Sequence, residues 1–206
     1  MEERILINLT PEKIGQKVRL CGWVNTRRDH GKMVFIDLRD RSGLVQIVGD
    51  EKLGELRSEY VVEIMGTVKR RPANMINEKI STGEIEIEVE KITVLAKSKE
   101  LPFPIDTDGY EINEEIRLKY RYLDLRRSRM IRNLETRHKM IKLIHEYLDK
   151  KGFLEVETPI LSKATPEGAR DFIVPSRLQL GKFYALPQAP QQYKQLLMVG
   201  GLEKYF

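Results

Sequence analysis

Hydrophobic and polar residues alternate through much of the first hundred residues of the chain. The alternation is strictest between residues 84 and 90, where Ile85, Ile87 and Val89 share one face. Four more runs with strand character precede it, at residues 18–24, 33–40, 44–50 and 60–71. A Ser-Gly turn signal separates the second and third of these runs, so they are predicted to form a hairpin.

The order of these strands narrows the choice of fold. A short helix is predicted at residues 51–57, between the third and fourth strands, and a polar loop at residues 72–83 precedes the fifth. Five strands with a helix in this place are typical of an OB-fold barrel. Because periodicity predicts strands and not their closure, a fragment of a five-stranded sandwich remains an alternative.

Helical spacing replaces strand alternation in the second half of the chain. Apolar residues recur every three or four positions from Ser128 to Lys151, which predicts a long amphipathic helix ended by Gly152. Residues 153–161 are predicted to form a strand interrupted by Pro159. A glycine loop, a second strand and the start of another helix are predicted to follow.

A stretch with two prolines, mixed charge and few core residues separates the two patterns. It has the composition of a linker or hinge. We therefore predict an α+β protein with a five-stranded OB-fold barrel at 1–100, a hinge at 101–114 and a second domain at 115–206.

Composition limits the class of protein. The 206 residues are 41% hydrophobic and 33% charged, which is typical of a soluble globular protein. No run approaches the roughly 20 apolar residues that cross a bilayer, and the N-terminus lacks a signal-peptide pattern. The single cysteine, Cys21, excludes an intramolecular disulfide and a cysteine-based zinc cluster. These features predict a cytoplasmic protein.

Positive charge is concentrated at residues 117–151. This stretch holds 12 Lys and Arg residues against 4 Asp and Glu residues, whereas residues 1–97 hold 17 against 16. A local basic excess is compatible with a polyanion such as nucleic acid. A solvated helix face would have the same composition.

The barrel contains residue types that bind single-stranded nucleic acid. Phe35 could stack on a base, while Arg28, Gln46 and Glu86 could position nucleotides or read base edges. Phe35 lies between Val34 and Ile36, so a core aromatic is the alternative. The alternative for Gln46 is an ordinary surface amide.

The second domain contains one acidic and one basic residue that could bind the same ligand. Glu167 lies on the glycine loop, and Lys194 follows a cluster of glutamines around Pro190. A carboxylate and an ammonium group together suit a zwitterion such as an amino acid. A polar helix start and a solvated loop form the simpler alternative. No motif in the sequence predicts a metal site.

Five stretches of the sequence together resemble bacterial aspartyl-tRNA synthetases. They are CGWVNTRRDHG and FIDLRDRSGLVQIV in the barrel, and YRYLDLRR, ETPILSKATPEGARDF and FYALPQAPQQYKQLLM in the second domain. The similarity runs from about Leu20 to Phe206 and keeps the motifs in one order. Lysyl- and asparaginyl-tRNA synthetases share the general plan, but ATPEGARDF and its spacing to PQAPQQYKQ are similar to the aspartyl branch.

The resemblance implies roles for the candidate residues. The barrel would bind the tRNA anticodon, with Phe35 stacked on a base and Arg28, Gln46 and Glu86 around it. The second domain would be the start of a class II antiparallel-sheet catalytic domain, whose first signature motif builds a homodimer interface that includes Pro159. The implied aspartate-binding residues are Glu167, Gln191, Gln192, Tyr193 and Lys194.

Two further positions carry an implication about tRNA choice. His30 resembles the residue found in family members that do not discriminate tRNA-Asp from tRNA-Asn. Met75 would lie at a second position of this kind. The hypothesis is that the full-length enzyme also charges tRNA-Asn.

The implied chemistry has two steps, formation of aspartyl-adenylate from aspartate and ATP and transfer of aspartate to tRNA. The family supplies arginines from a second and a third signature motif together with Mg²⁺, and neither motif occurs in this sequence. The chain resembles an N-terminal fragment with no catalytic residue of its own, and we expect these 206 residues alone to form no adenylate. A freestanding nucleic-acid-binding module and an asparaginyl enzyme are the alternative functions.

Overall fold

The computed structural model describes residues 3–31, 33–165 and 170–206 in two compact units, Met1–Met130 and Ile131–Phe206. The first unit contains five strands: β1 (Lys17–His30), β2 (Met33–Asp40), β3 (Gly43–Gly49), β4 (Val61–Arg70) and β5 (Ile85–Ala96). Short 3-10 helices lie at Ile7–Lys13, Glu51–Glu55 and Ala73–Met75.

The five strands form a closed barrel in the order β1-β2-β3-β5-β4, and β4 pairs with β1. The β3–β5 pairing is parallel and spans Gln46–Val48 opposite Glu86–Glu88, while the other pairings are antiparallel. The predicted OB-fold barrel is therefore confirmed, and the sandwich fragment is excluded. The predicted helix between β3 and β4 is present as the 3-10 helix Glu51–Glu55.

The period of two along the strands separates the barrel interior from its outer surface. Val34, Ile36 and Leu38 of β2 are at most 5% exposed and belong to one apolar core. The alternate residues of β2 face outward and are half-buried. Burial of such branched aliphatic side chains contributes roughly 1.5–3 kcal/mol each, which strongly favours this strand phase over the opposite one.

The predicted hinge contains a small core of its own. Phe103 and Ile105 are buried against Leu123, so the few apolar residues of this stretch are packed together. The fully buried Arg127 donates to the Pro104 carbonyl at 2.7 Å and to the Thr107 carbonyl at 2.7 Å. The predicted domain boundaries themselves stay predictions.

Three helices follow this segment: α1 (Glu114–Lys119), α2 (Arg121–Asp124) and α3 (Ser128–Lys150). The fully buried Asp124 pairs with Arg121 at 2.7 Å and with Arg127 at 2.8 Å. Part of the basic excess at residues 117–151 therefore balances a buried carboxylate, because an unpaired buried charge is costly.

The second unit contains a two-stranded sheet and a terminal helix. β6 (Phe172–Pro175) pairs antiparallel with β7 (Phe183–Leu186), and α4 spans Gln191–Val199. Gly152 has φ +76° after α3, as predicted for a left-handed cap.

The strand predicted at residues 153–161 was wrong. Within this segment the structure has one isolated bridge, from Leu154 to Tyr205, and a second lies just beyond it, from Ser162 to Ala185. Pro159 has no N–H group, so it cannot donate to a continuous ladder across the middle of this segment. Among the helices in the described part of the chain, none is long and apolar enough to cross a membrane.

The β4–β5 pairing of the barrel brings the two backbones very close together at Gly66. A Cβ atom on Gly66 would lie 2.3 Å from the Glu88 carbonyl oxygen, which no side-chain rotation can relieve. We predict that Gly66→Ala lowers the free energy of unfolding by about 1–3 kcal/mol, the usual cost of overpacking. Urea unfolding measures this difference.

Gly54→Ala is the matched control, because nothing lies within 4 Å of a Cβ at Gly54. Its free energy of unfolding should stay within about 0.5 kcal/mol of the parent chain. Equal effects of the two substitutions would contradict the importance of close approach at Gly66.

Candidate nucleic-acid interface and amino-acid pocket

Phe35 lies on the outer surface of the barrel. Its neighbours Val34 and Ile36 are 5% and 1% exposed and fill the interior, so Phe35 points outward and is half-buried. The core alternative for this aromatic ring is excluded. An outward aromatic ring on a barrel strand offers a stacking platform to a nucleic-acid base.

The strand register places the other predicted residues near this ring. Arg28 of β1 is opposite Phe35, Gln46 of β3 is opposite Asp37, and Glu86 of β5 is opposite Gln46. The four predicted anticodon residues therefore lie on one surface, formed by β1, β2, β3 and β5. The surface that carries Arg28, Phe35, Gln46 and Glu86 is called the β2–β3–β5 face below.

A chain of polar contacts runs across the β2–β3–β5 face. Arg28 Nη2 donates to Asp37 Oδ1 at 2.8 Å and to Gln46 Oε1 at 3.4 Å. Gln46 Nε2 in turn donates to Glu86 Oε2 at 3.0 Å. These contacts orient the side chains in the free protein, and an incoming base must replace some of them because the same donors and acceptors would read its edge.

His30 is in direct contact with the stacking residue. Its ring lies edge-on to the ring of Phe35, with centroids 5.6 Å apart and an interplanar angle of 80°. Met75, the other residue predicted to affect tRNA choice, ends a 3-10 helix and is 60% exposed. Among the described residues, none of the contacts given above joins Met75 to the β2–β3–β5 face.

Arg71 is a residue of this region that the sequence prediction missed. It is 8% exposed, its Nε donates to the Ile85 carbonyl at 2.9 Å, and its backbone N–H donates to the Glu84 carbonyl. Burial lowers the pKa of the Arg71 guanidinium, while the negative charges of Glu86 and Asp37 act in the opposite direction. The sequence offered no signal, because Arg71 follows Lys69 and Arg70 in what resembles a basic surface run.

The predicted aspartate-binding residues lie at the start of α4. Gln191, Gln192 and Lys194 are exposed, and Tyr193 is half-buried. Gln191 and Lys194 are three residues apart and therefore lie on the same side of the helix. The Lys194 backbone N–H donates to the Pro190 carbonyl at 2.9 Å, which fixes the first turn of α4. The exposed side chains of Gln191 and Lys194 can then face a ligand.

Glu167, the predicted partner of the aspartate ammonium group, lies outside the described residues. The residues that flank this segment are held together. The Thr165 backbone N–H donates to Asp171 Oδ2 at 3.3 Å, and Gln188 Nε2 donates to the Arg170 carbonyl at 3.0 Å.

Pro159 and one side of α3 are candidates for a protein interface. Pro159 is exposed. Several apolar side chains of α3 are about half exposed or more, namely Leu134, Met140, Leu143, Ile144 and Tyr147. Such a concentration of exposed apolar residues is typical of surfaces that pack against another protein surface.

No metal site emerges from residues 3–31, 33–165 and 170–206. Three or more His, Cys, Asp or Glu side chains do not come close enough together there to hold an ion. We assign no Mg²⁺ ligand to these residues.

Two family models match the two parts of this architecture. Residues 18–95 match the OB-fold nucleic acid binding domain, and residues 113–206 match the class II tRNA synthetases of the D, K and N group. With the closed barrel and its outward aromatic and polar face, these matches define the class of protein. The chain therefore contains an OB-fold nucleic acid binding domain and, in residues 113–206, a match to the class II tRNA synthetases of the aspartate, lysine and asparagine group.

Comparison with individual proteins gives a more specific similarity. The chain is 55% identical over its whole length to an aspartate–tRNA(Asp/Asn) ligase of Prochlorococcus marinus subsp. pastoris. It is 57% identical over 96% of its length to a ligase of the same name from Natranaerobius thermophilus. The chain spans about a third of the length of these curated relatives, 36% and 35% respectively.

Solved structures give a consistent result. Asparaginyl-tRNA synthetase from Pyrococcus horikoshii, complexed with asparaginyl-adenylate, matches the whole chain with a TM-score of 0.81 at 32% identity. A putative aspartyl-tRNA synthetase from Leishmania major Friedlin matches with a TM-score of 0.84 at 28% identity. The chain covers 47% and 42% of those two proteins.

Proposed function

We propose that the chain provides the anticodon-binding barrel and the opening of the catalytic domain of an aspartate–tRNA ligase. The observation that carries the proposal is the identity of 53–57% to proteins named aspartate–tRNA(Asp/Asn) ligase, sustained along this chain. The β2–β3–β5 face supports it independently, because it combines an outward aromatic ring with donors and acceptors that suit base edges.

In this proposal the barrel binds the anticodon by exchanging internal contacts for contacts to RNA. A base stacks on Phe35, and Gln46 and Arg28 turn from each other toward base edges. The 3.4 Å contact between Arg28 and Gln46 is the longest in the polar chain and is therefore the one whose loss costs least. Stacking supplies affinity, and the polar side chains supply discrimination between bases.

The start of α4 and the loop that precedes β6 bind aspartate in this proposal. Lys194 neutralises the side-chain carboxylate of aspartate, and Glu167 binds its ammonium group. Gln191, Gln192 and Tyr193 complete the polar surround from the same helical turn. Lys194 favours an acidic amino acid over a neutral one, because only an acidic side chain offers it a carboxylate.

The reaction proposed for the whole protein joins the aspartate carboxylate to the α-phosphate of ATP with release of pyrophosphate, and then transfers aspartate to the tRNA 3′ end with release of AMP. Mg²⁺ would neutralise phosphate charge in the first step. The described residues hold no cluster of three or more His, Cys, Asp or Glu side chains that could bind it. We also propose a homodimer, built through Pro159 and the exposed apolar side of α3, in the cytoplasm.

Removal of the stacking ring tests the proposed role of the barrel. Phe35→Ala should weaken binding of a tRNA-Asp anticodon stem-loop by about 1–3 kcal/mol, the usual contribution of one stacked base. Fluorescence anisotropy with a labelled stem-loop measures the dissociation constant.

Phe35→Tyr is the matched control, because it keeps the ring and should keep most of the affinity. Phe35→Leu keeps an apolar side chain without a ring and should resemble Phe35→Ala. Unchanged affinity in Phe35→Ala, or an equal loss in Phe35→Tyr, would contradict the stacking role.

The proposed acceptance of tRNA-Asn gives a second prediction. The stem-loops of the two tRNAs differ in the third anticodon nucleotide, so a tRNA-Asp stem-loop with C replaced by U at that position isolates the choice. We expect the two dissociation constants to agree within about fivefold, which is about 1 kcal/mol.

A stem-loop with a changed middle anticodon nucleotide serves as the control and should bind clearly more weakly. Rejection of the C-to-U stem-loop by about a hundredfold would refute dual recognition. His30→Leu removes the ring that lies edge-on to Phe35 and should change the ratio of the two dissociation constants.

A further inference from the structure

Among the described residues, Arg71 is a buried guanidinium beside the β2–β3–β5 face whose hydrogen bonding is incomplete. Its Nη2 atom is shielded from solvent and has no hydrogen-bond partner there. A buried donor without an acceptor costs about 1–3 kcal/mol, and more when it is charged. A cost of this size in a folded protein calls for an explanation, and a functional role is one.

The surroundings of Arg71 indicate what that purpose is. The strand that carries Glu86 begins with Ile85, whose carbonyl accepts from Arg71 Nε at 2.9 Å. The bond to the Ile85 carbonyl places the guanidinium beside the backbone that leads directly into Glu86, at the edge of the polar chain on the β2–β3–β5 face. Consistently, burial lowers the pKa of Arg71, while the negative charges of Glu86 and Asp37 act in the opposite direction.

Glu86 depends on neighbours that a bound base would disturb. In the free protein Glu86 Oε2 accepts from Gln46 Nε2 at 3.0 Å. Lys69 lies opposite Glu86 in the strand register, but its ammonium group is paired with Glu88. When Gln46 turns to a base, Glu86 loses the donor that it has in the free protein, while the charge of Arg71 stays in place.

We propose that Arg71 is a positioning residue of the RNA-binding face, a fixed buried cation that holds the Glu86 carboxylate as an acceptor for a base N–H group. This proposal rests on the proposed anticodon-binding function. The ligand group that Glu86 takes is an exocyclic amino or ring N–H donor of a base. Arg71 acts through Glu86, and it does not itself need to touch the RNA.

A double-mutant cycle tests this dependence. Arg71→Met removes the charge and keeps much of the side-chain volume, and it should weaken binding of the tRNA-Asp stem-loop at least about fivefold. In the Glu86→Gln background the same substitution should change the affinity by less than about twofold, since the carboxylate that Arg71 serves is gone. Anisotropy titrations of the chain give all four dissociation constants.

Two matched variants complete the experiment. Arg70→Met removes the same charge from the adjacent exposed position and should have the same small effect in both backgrounds. Arg71→Lys keeps the charge and should lie closer to the parent chain than Arg71→Met does. Thermal unfolding of each variant establishes that it folds, and if Arg71→Met does not fold, the cycle is measured with Arg71→Gln, which also removes the charge but keeps a polar donor in the buried position.

The outcomes separate the two proposals. An equal loss for Arg71→Met with and without Glu86, or a loss above about tenfold in Arg71→Lys, would overturn the positioning role. If Phe35→Ala weakens binding in the same assay, the anticodon-binding function survives that result. If the parent chain does not bind the stem-loop, the proposed function fails and the role of Arg71 fails with it.

Discussion

Closure of the barrel between β1 and β4 is the constraint on which the candidate RNA site depends. Seven residues of β1, from Lys17 to Trp23, pair with β4, and this pairing leaves no free strand edge in the barrel. A shift of one residue in any strand would move its aliphatic residues out of the core and its outward residues in. The position of Phe35, Gln46 and Glu86 on one face is a consequence of that register.

The polar residues of the β2–β3–β5 face serve the free and the bound states in different ways. In the free barrel Arg28, Asp37, Gln46 and Glu86 satisfy one another in a chain of contacts. In the proposed function, bound RNA would exchange such contacts for similar ones, so their net contribution to affinity would be small and their contribution to discrimination larger. The ring of Phe35 has the edge-on ring of His30 against it, and a stacked base would add to that contact.

Much of the fold followed from the sequence because its apolar residues have clear periods. The five strands along the chain, the helix between β3 and β4, α3 and its glycine cap could all be predicted from spacing. The orientation of Phe35 was ambiguous because three apolar residues are consecutive at positions 34–36. Asp37 and Arg39 have the same parity as Phe35 along β2, and this signal favoured the outward orientation that the structure shows.

The remaining features depend on contacts that are distant in sequence. The prolines and charges of residues 101–114 conceal a small core, because Phe103 and Ile105 are buried together with Leu123 of α2, which is distant in sequence. Arg71 is indistinguishable from a surface arginine until β5 covers it. The strand expected at 153–161 had suitable residue types, but it has no neighbouring strand to pair with beyond single bridges. The site residues of the second unit stay predictions, since Glu167 is outside the described residues.

The central claim is that barrel register builds an RNA-binding face around Phe35. A titration of the ¹⁵N-labelled chain with the tRNA-Asp anticodon stem-loop, followed by two-dimensional NMR, tests this most directly. We expect the amide signals of Arg28, Phe35, Gln46 and Glu86 to shift together, while those of the 3-10 helix Ile7–Lys13 stay unchanged. Shifts concentrated on Ile7–Lys13, with the signals of Phe35 and Glu86 unchanged, would contradict it.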